Sequence, residues 1–460
     1  MTEVSPQDVL RKVTGRLIPF IFLLYVVNIL DRVNVGFARL TMLDDLQMSE
    51  QAYALGAGLF YIGYLLFEVP SNLIMNRIGA RRWIGRIMIS WGIISCAMLL
   101  VRGPWSFYAL RLLLGIAEAG FFPGIILYLT YWFPARQRAR AVSCFMTGSP
   151  LVGIIQGPLS GGILEYLDGA GGLAGWQWLF LLEGTPAVFL GFVVLFYLTD
   201  RPAQANWLSA AERDWLAEEM AREERQRRAH GLSSFRALTD GRVWLLILLY
   251  FTVAAGTNSI GFYLPKLIDS RIEGLSKIQI GFLSTIPSLC AIAAMVVVGT
   301  HSDRTGERRW HVALAAFTGG IGWTIAAWAP TPALSLAGLA VAHAGMMSML
   351  APFWSLPTAF LSGTAAAGGI ALINSLGNLG GFVGPNIVGQ SQALTGSFEL
   401  GLTALAGLMA AGGVLALTIR HERAAAKEDI ADSDATKPFR GGIREEITAV
   451  PYSFERTPER

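Results

Sequence analysis

The chain has 460 residues, 53% of them hydrophobic and only 15% charged, with a mean hydropathy of +0.48. Soluble domains carry roughly a quarter charged residues, so composition excludes an ordinary soluble enzyme or nucleic-acid-binding protein. The net charge of +3 comes from polar segments between apolar runs and implies no nucleic-acid partner.

The N-terminus, MTEVSPQDVLRKVTGR, lacks the basic start, short apolar core and small-residue exit of a cleaved signal. A helix needs about 20 apolar residues to cross a bilayer. Twelve stretches meet that need: 14–38, 52–76, 82–101, 105–132, 139–166, 176–199, 240–268, 277–300, 310–329, 332–361, 364–393 and 398–420. The expected fold is an all-α membrane protein with twelve transmembrane helices in two pseudo-symmetric six-helix bundles. The bundles occupy 1–199 and 240–420. Between them, 200–239 reads as a cytoplasmic linker containing the charged helix-former SAAERDWLAEEMAREERQRRAH, and 421–460 as a polar, disordered cytoplasmic tail.

With the N-terminus inside, 29 Lys and Arg fall in inner segments and 5 in outer loops, which places both termini in the cytoplasm. Cys96, Cys144 and Cys290 all lie within predicted spans and read as small packing residues, not a disulfide framework. Trp91, Trp176 and Trp178 suit interfacial belts or packing.

The halves repeat. NLIMNRIGARR follows the second span and GTHSDRTGERR the eighth, pairing Arg77 with Arg304 and Gly79 with Gly306 at an offset of 227. The same offset carries Gly153, Gly157, Pro158 and Gly162 onto Gly380, Gly384, Pro385 and Gly389. Parallel six-helix repeats of this kind build one large class of secondary transporters. The glycines and prolines of spans five and eleven permit close approach and kinking.

Charges inside the first half mark a site. Asn28, Asp31 and Arg32 share a face at the end of the first span, with Asn34 nearby. A charge in the bilayer interior costs ~3 kcal/mol or more, so it faces inward and finds a partner. In the fourth span, Arg111, Gly115, Glu118 and Phe122 recur at spacings of 4, 3 and 4 along one face. Glu118 is flanked by apolar residues and glycine for several turns, and a carboxyl buried there can carry a proton near neutral pH. An arginine fork suits a substrate carboxylate.

These motifs carry a resemblance. NRIGARR and DRTGERR resemble the paired loop signature of the major facilitator superfamily. LDRVNVGFA, FEVPSNLIMNRIGARRWIGRIM, GIAEAGFFPGIILYLTYWFPARQRARA and ALINSLGNLGGFVGP look like the anion:cation symporter family, especially its tartrate, phthalate, aromatic-acid and sugar-acid permeases. The resemblance implies that Asp31 and Glu118 serve in proton coupling and that Arg32 and Arg111 hold the anion. It also implies gate roles for Asn76, Arg77, Gly79, Asp303, Arg304 and Gly306. Asn76 departs from the pattern, since the superfamily places an acid there. The remaining substrate-binding candidates are Tyr64, Trp354, Ser355, Asn374 and Asn378; Glu68 is a further acid or gate partner, and His343 reads as a packed neutral histidine.

The expected activity is import of an organic anion, a mono- or dicarboxylate, by proton symport across a bacterial inner membrane through alternating access. The alternatives are an organophosphate/phosphate antiporter or a sodium-coupled carboxylate carrier. No GxxxxGK[ST], HExxH or CxxC occurs, so neither an enzyme, a nucleotide-driven pump nor a cofactor is expected. Its partners are a small carboxylate, protons and lipid, and a monomer suffices because one chain supplies both halves.

Overall fold

The computed structural model describes residues 5–229, 240–360 and 363–419. The expected tail and the end of the linker lie outside them. Sixteen α-helices run through the described residues. The first half contains α1 (Pro6–Asp45), α2 (Glu50–Ile78), α3 (Ala80–Ala97), α4 (Pro104–Glu118), α5 (Phe121–Trp132), α6 (Ala135–Met146), α7 (Gly148–Tyr166) and α8 (Gly175–Tyr197). The linker contributes α9 (Ala210–Ala229). The second half contains α10 (Gly241–Arg271), α11 (Lys277–Thr305), α12 (Arg309–Trp328), α13 (Pro332–Phe360), α14 (Gly363–Gly377), α15 (Gly380–Thr395) and α16 (Glu399–Thr418).

Among the described residues, nine spans are long and apolar enough to cross a membrane, α4 and α5 counting as one. The pairs α6–α7 and α14–α15, with α12, bring the count to the twelve spans expected from the sequence. Three spans expected as single rods are therefore broken. The fourth divides at Ala119–Gly120, the fifth at Thr147 and the eleventh at Asn378–Leu379. At the first break Gly120 takes φ +87°, a left-handed conformation that side chains disfavour; a Cβ there would also lie 2.6 Å from Ser71 Cβ.

Local signals set several ends. Pro6 and Pro104 start α1 and α4, where the missing N–H costs nothing. Ser49 caps α2 by accepting from Ala52 N at 3.1 Å, and Ser276 forms a capping box with Gln279 on α11. The repeated loops turn on Gly79 (φ +100°) and Gly306 (φ +67°), which explains why glycine recurs at that offset.

Lipid tails are as apolar as leucine, so close backbone packing holds the helices together. Gly85 and Gly92 of α3 meet Gly191 and Gly184 of α8; a Cβ on Gly92 would lie 2.9 Å from the Gly184 carbonyl oxygen. The lipid-facing surface carries Leu66, Phe67, Leu73, Phe189 and Val297. Trp244 and Trp310 near the inner ends, with Trp105 and Trp328 near the outer ends, are exposed where interfacial aromatics belong. Trp91 and Trp176 are buried packing residues. Cys96 is half-buried, whereas Cys144 and Cys290 are exposed on helix surfaces and do not fill the core as expected.

The two halves close on the outer side. Gly36 of α1 packs on the Gly261 carbonyl oxygen of α10, and a Cβ on it would lie 3.1 Å from Phe262 Cα. Gly157 of α7 and Gly281 of α11 meet backbone to backbone. Tyr53 on α2 donates from its hydroxyl to Phe262 O at 3.0 Å and to Val35 O at 3.3 Å. Gly58 and Gly381 seat α2 against α15.

Candidate functional site

The first-half charges separate into two groups on opposite sides of α1. Successive residues of a helix point about 100° apart, and Asp31 and Arg32 accordingly find different partners. Arg32 turns to Glu118: its Nε donates to Oε1 at 2.9 Å and its Nη2 also pairs with that oxygen. Asn28, one turn before Arg32, donates to the same oxygen at 2.8 Å. Glu118 is fully buried, and its Oε2 has no partner. Asp31 turns to α3, where Ser95 Oγ donates to Oδ1, and Asn34 donates to that oxygen at 3.3 Å. The expected common face of Asn28, Asp31 and Arg32 thus holds for the first and third but not for Asp31.

Glu118 is the last residue of α4, so the break at Gly120 places its carboxyl at a helix end. Phe122 falls beyond that break and packs with Tyr25 and Phe145 (centroids 5.8 and 5.7 Å) instead of continuing the Arg111–Glu118 face. Arg111 is fully buried. Its Nη2 donates to Ala57 O at 3.2 Å, while Nε and Nη1 lack partners. Phe60 lies between the two arginines, 5.3 Å from Arg32 Cζ and 5.0 Å from Arg111 Cζ. Tyr64 offers Arg32 a second ring at 5.3 Å.

Across the interface the second half presents neutral polar and aromatic groups. Tyr61 of α2 hydrogen-bonds Asn258 of α10. Trp354 stands edge-on to Tyr250, with centroids 5.0 Å apart, and Tyr250 lies within electrostatic reach of Arg32 and Glu68. Ser355 donates to Pro352 O at 2.7 Å. The Asn378 side chain, at the break between α14 and α15, has no hydrogen-bond partner among the described residues. Asn374 is engaged: it donates to Glu68 Oε1 at 3.2 Å, while Ser375 donates to Oε2 at 2.6 Å. Glu68 therefore ties α2 to α14 one turn inward of Tyr64. His343 is partly buried, with Nδ1 unpartnered.

The Arg32 side chain retains 24% exposure although Glu118 has none.

At the inner loops Asn76 accepts from the Tyr131 hydroxyl at 2.8 Å, a neutral bond where the resembled signature has an acid. Asp303 pairs with Arg308 at 2.6 Å, not with Arg304. Arg77 and Arg304 are both exposed. Asp200, absent from the sequence expectations, caps α3 by accepting from Arg81 N at 2.7 Å. Tyr61, Tyr250, Asn258, Ser95 and Glu183 were also outside those expectations. For Glu183 a signal existed, since a single acid inside an apolar 23-residue helix is rarely idle.

Comparison with known proteins places this architecture. A model described as Major Facilitator Superfamily matches residues 21–385. A putative tartrate transporter of Agrobacterium vitis is 52% identical over 411 residues, covering 89% of this chain and 94% of its own. A quinolone resistance transporter of Acinetobacter baumannii is 43% identical, covering 89% and 94%. Among solved structures, a bacterial homolog of the human lysosomal transporter Spinster, inward-facing and unoccupied, superposes with a TM-score of 0.69 at 17% identity, over 90% of this chain and 96% of that one. The chain is an integral membrane transporter and not an enzyme: it belongs to the major facilitator superfamily.

Proposed function

We propose that this transporter imports an organic anion, a hydroxy-dicarboxylate such as tartrate or a sugar or aromatic acid, together with protons. The observation that carries the reading is the Arg32–Glu118 pair, in which the arginine keeps part of its surface uncovered and the acid keeps none. A substrate carboxylate takes the arginine fork by paired charge-assisted bonds. Glu118, left buried without its cation, then takes a proton, because an unpaired buried charge costs several kcal/mol. Substrate and proton binding become mutually favourable, and linkage makes that coupling reciprocal. Arg111, with two unpartnered nitrogens, adds positive potential behind Phe60. Asn378, Trp354 and Tyr250 face the anion from the second half, where an uncharged wall suits a substrate whose charge is already met. Exchange between outward and inward access rests on the glycine seams Gly36–Gly261 and Gly157–Gly281. The printed name of the Agrobacterium vitis relative, a putative tartrate transporter, supports an anionic cargo, since tartrate is a dicarboxylate.

The test is uptake of labelled carboxylates into proteoliposomes, with and without an inward proton gradient, for wild type and Glu118→Gln. Accumulation that requires the gradient, with the variant still exchanging but no longer accumulating, supports the proposal. Accumulation driven by sodium, or by neither ion, overturns the proton assignment.

A further inference from the structure

A second buried acid lies behind α1, away from the Arg32–Glu118 pair. Glu183 of α8 is 5% exposed, and its Oε1 accepts from Ser160 Oγ of α7 at 2.8 Å. Asn34 of α1, which donates to Asp31, lies within electrostatic reach of the Glu183 carboxyl. Asp31, Asn34, Ser95, Ser160 and Glu183 thus form one polar pocket between α1, α3, α7 and α8, each residue at most 5% exposed.

The pocket contains no cation. Facing it from α3 are Ser95, the Trp91 indole and, farther off, the Cys96 thiol; from α7, Ser160; from α1, Asp31 and Asn34. Three nearby basic groups are committed elsewhere, and a fourth, Arg111, has two unpartnered nitrogens but makes no hydrogen bond or ion pair with the pocket. Arg32 is paired with Glu118, Arg39 with Glu50, and Arg86 donates to Ser90 and stacks on Trp83. Arg111 and Glu118 reach Asp31 only through space.

Hydrogen counting sharpens the point. Asp31 Oδ2, Glu183 Oε2 and Asn34 Oδ1 are all buried acceptors without a donor. Buried acceptors are almost always satisfied; the Trp91 indole N–H, itself buried and unpartnered, can meet one oxygen of Asp31, which still leaves orphaned oxygens around the two carboxyls. Two carboxyls buried side by side with no cation in contact are costly as anions, and a proton on either one lowers that cost and adds an O–H donor for an orphaned oxygen.

We propose that Glu183 and Asp31, bridged by Asn34, form a proton-binding carboxyl pair separate from the substrate-contacting Arg32–Glu118 pair. Moving a proton on or off the pair makes and breaks only O–H bonds, with no change of oxidation state. The assignment of that proton to transport rests on the symport reading above, whereas its presence in the pocket does not.

Infrared difference spectra of the full-length protein in vesicles, titrated with acid in H2O and D2O, read protonated carboxyls directly and need no substrate. The wild type should show a D2O-sensitive protonated-carboxyl band that Glu183→Gln removes and Asp31→Asn shifts. Ser160→Ala, which keeps the acid and removes only its hydroxyl donor, should move the band's frequency and guards against a misfolded Glu183→Gln. Bands and titration unchanged in all three variants overturn the proposal. L-tartrate uptake separates the two readings. Gradient-independent uptake by a wild type that retains the Glu183 band sinks symport and leaves the proton site. Gradient-driven uptake with an unchanged proton-to-tartrate ratio and unchanged bands in Glu183→Gln sinks the site and leaves symport.

Discussion

The two halves share a backbone plan and divide the chemistry unequally. The first half carries Asp31, Arg32, Glu68, Arg111, Glu118 and Glu183 within its spans, all buried except the part-exposed Arg32, whereas the second meets them with Asn258, Tyr250, Trp354, Asn374 and Ser375. What the repeat retains is conformational: Gly79 and Gly306 both turn the chain in the left-handed region, and both halves contribute glycines to the outer seam. Duplication thus preserved the hinges while charge stayed on one side. A carrier organised this way can bind an anion to one bundle and sense occupancy through the other.

The comparison is broken most forcefully at Arg32. Arg32→Ala leaves Glu118 buried without its cation, at a cost of about 3–5 kcal/mol, and removes the anion's partner. Uptake, read as kcat/KM, should fall by roughly a hundredfold or more, and the melting temperature should drop as well. Arg32→Lys should recover melting more than uptake, because an ammonium lacks the planar fork.

Gly36→Val tests the seam. Its side chain meets the Gly261 carbonyl, and overpacking of this kind costs ~1–3 kcal/mol, disfavouring the closed outer face by roughly ten- to a hundredfold. In a background without Cys96, Cys144 and Cys290, maleimide should label a cysteine at Ala57 from outside faster than in the parent.

Asn258→Ala asks whether the second half contributes specificity alone. Loss of one hydrogen bond of about 1 kcal/mol should raise KM several-fold with kcat little changed. A loss matching Arg32→Ala would show that the second half carries as much of the binding as the first.

The smallest effect is expected outside the bilayer, where Lys12 pairs with Glu212 and straps α9 to α1. The Lys12 hydrogen bond holds the Glu212 carboxyl below the usual range. Its contribution is therefore present above the unfolded-state pKa and fades as pH falls through the folded value. An exposed pair contributes about 0.5 kcal/mol, so Lys12→Ala should lower the melting temperature slightly at pH 7 and not at all in strong acid.

Much of this was legible from residues alone. Length and apolar runs defined the spans, the common offset of 227 exposed the repeat, and apolar neighbours singled out Glu118. Which acid would meet Arg32 was not legible, because adjacency in sequence places Asp31 and Arg32 on different sides of a helix. The break in the fourth span had a written signal, Gly120 with Pro123 shortly after, the pattern of a helix end. The apolar run around it masks that signal. Asn258, Tyr61 and Tyr250 matter through contacts across the bundle interface, which no period within one helix encodes.

The break at Gly120 also has a mechanical consequence. On its outer side α4 is riveted to α2, where Gly63 faces the Leu112 carbonyl and Gly115 the Phe60 carbonyl. On its inner side α5 packs against α3 and α6 and touches only the inner end of α2, at Asn72, Met75 and Asn76. The two pieces lean on α2 and α3 to different degrees, and Glu118 is the residue at the elbow. A swing of α5 near the cytoplasmic gate would twist that elbow while Arg111 stayed put with α2, so the state of the gate would be felt at the carboxyl as torque on a single hydrogen-bonded pair.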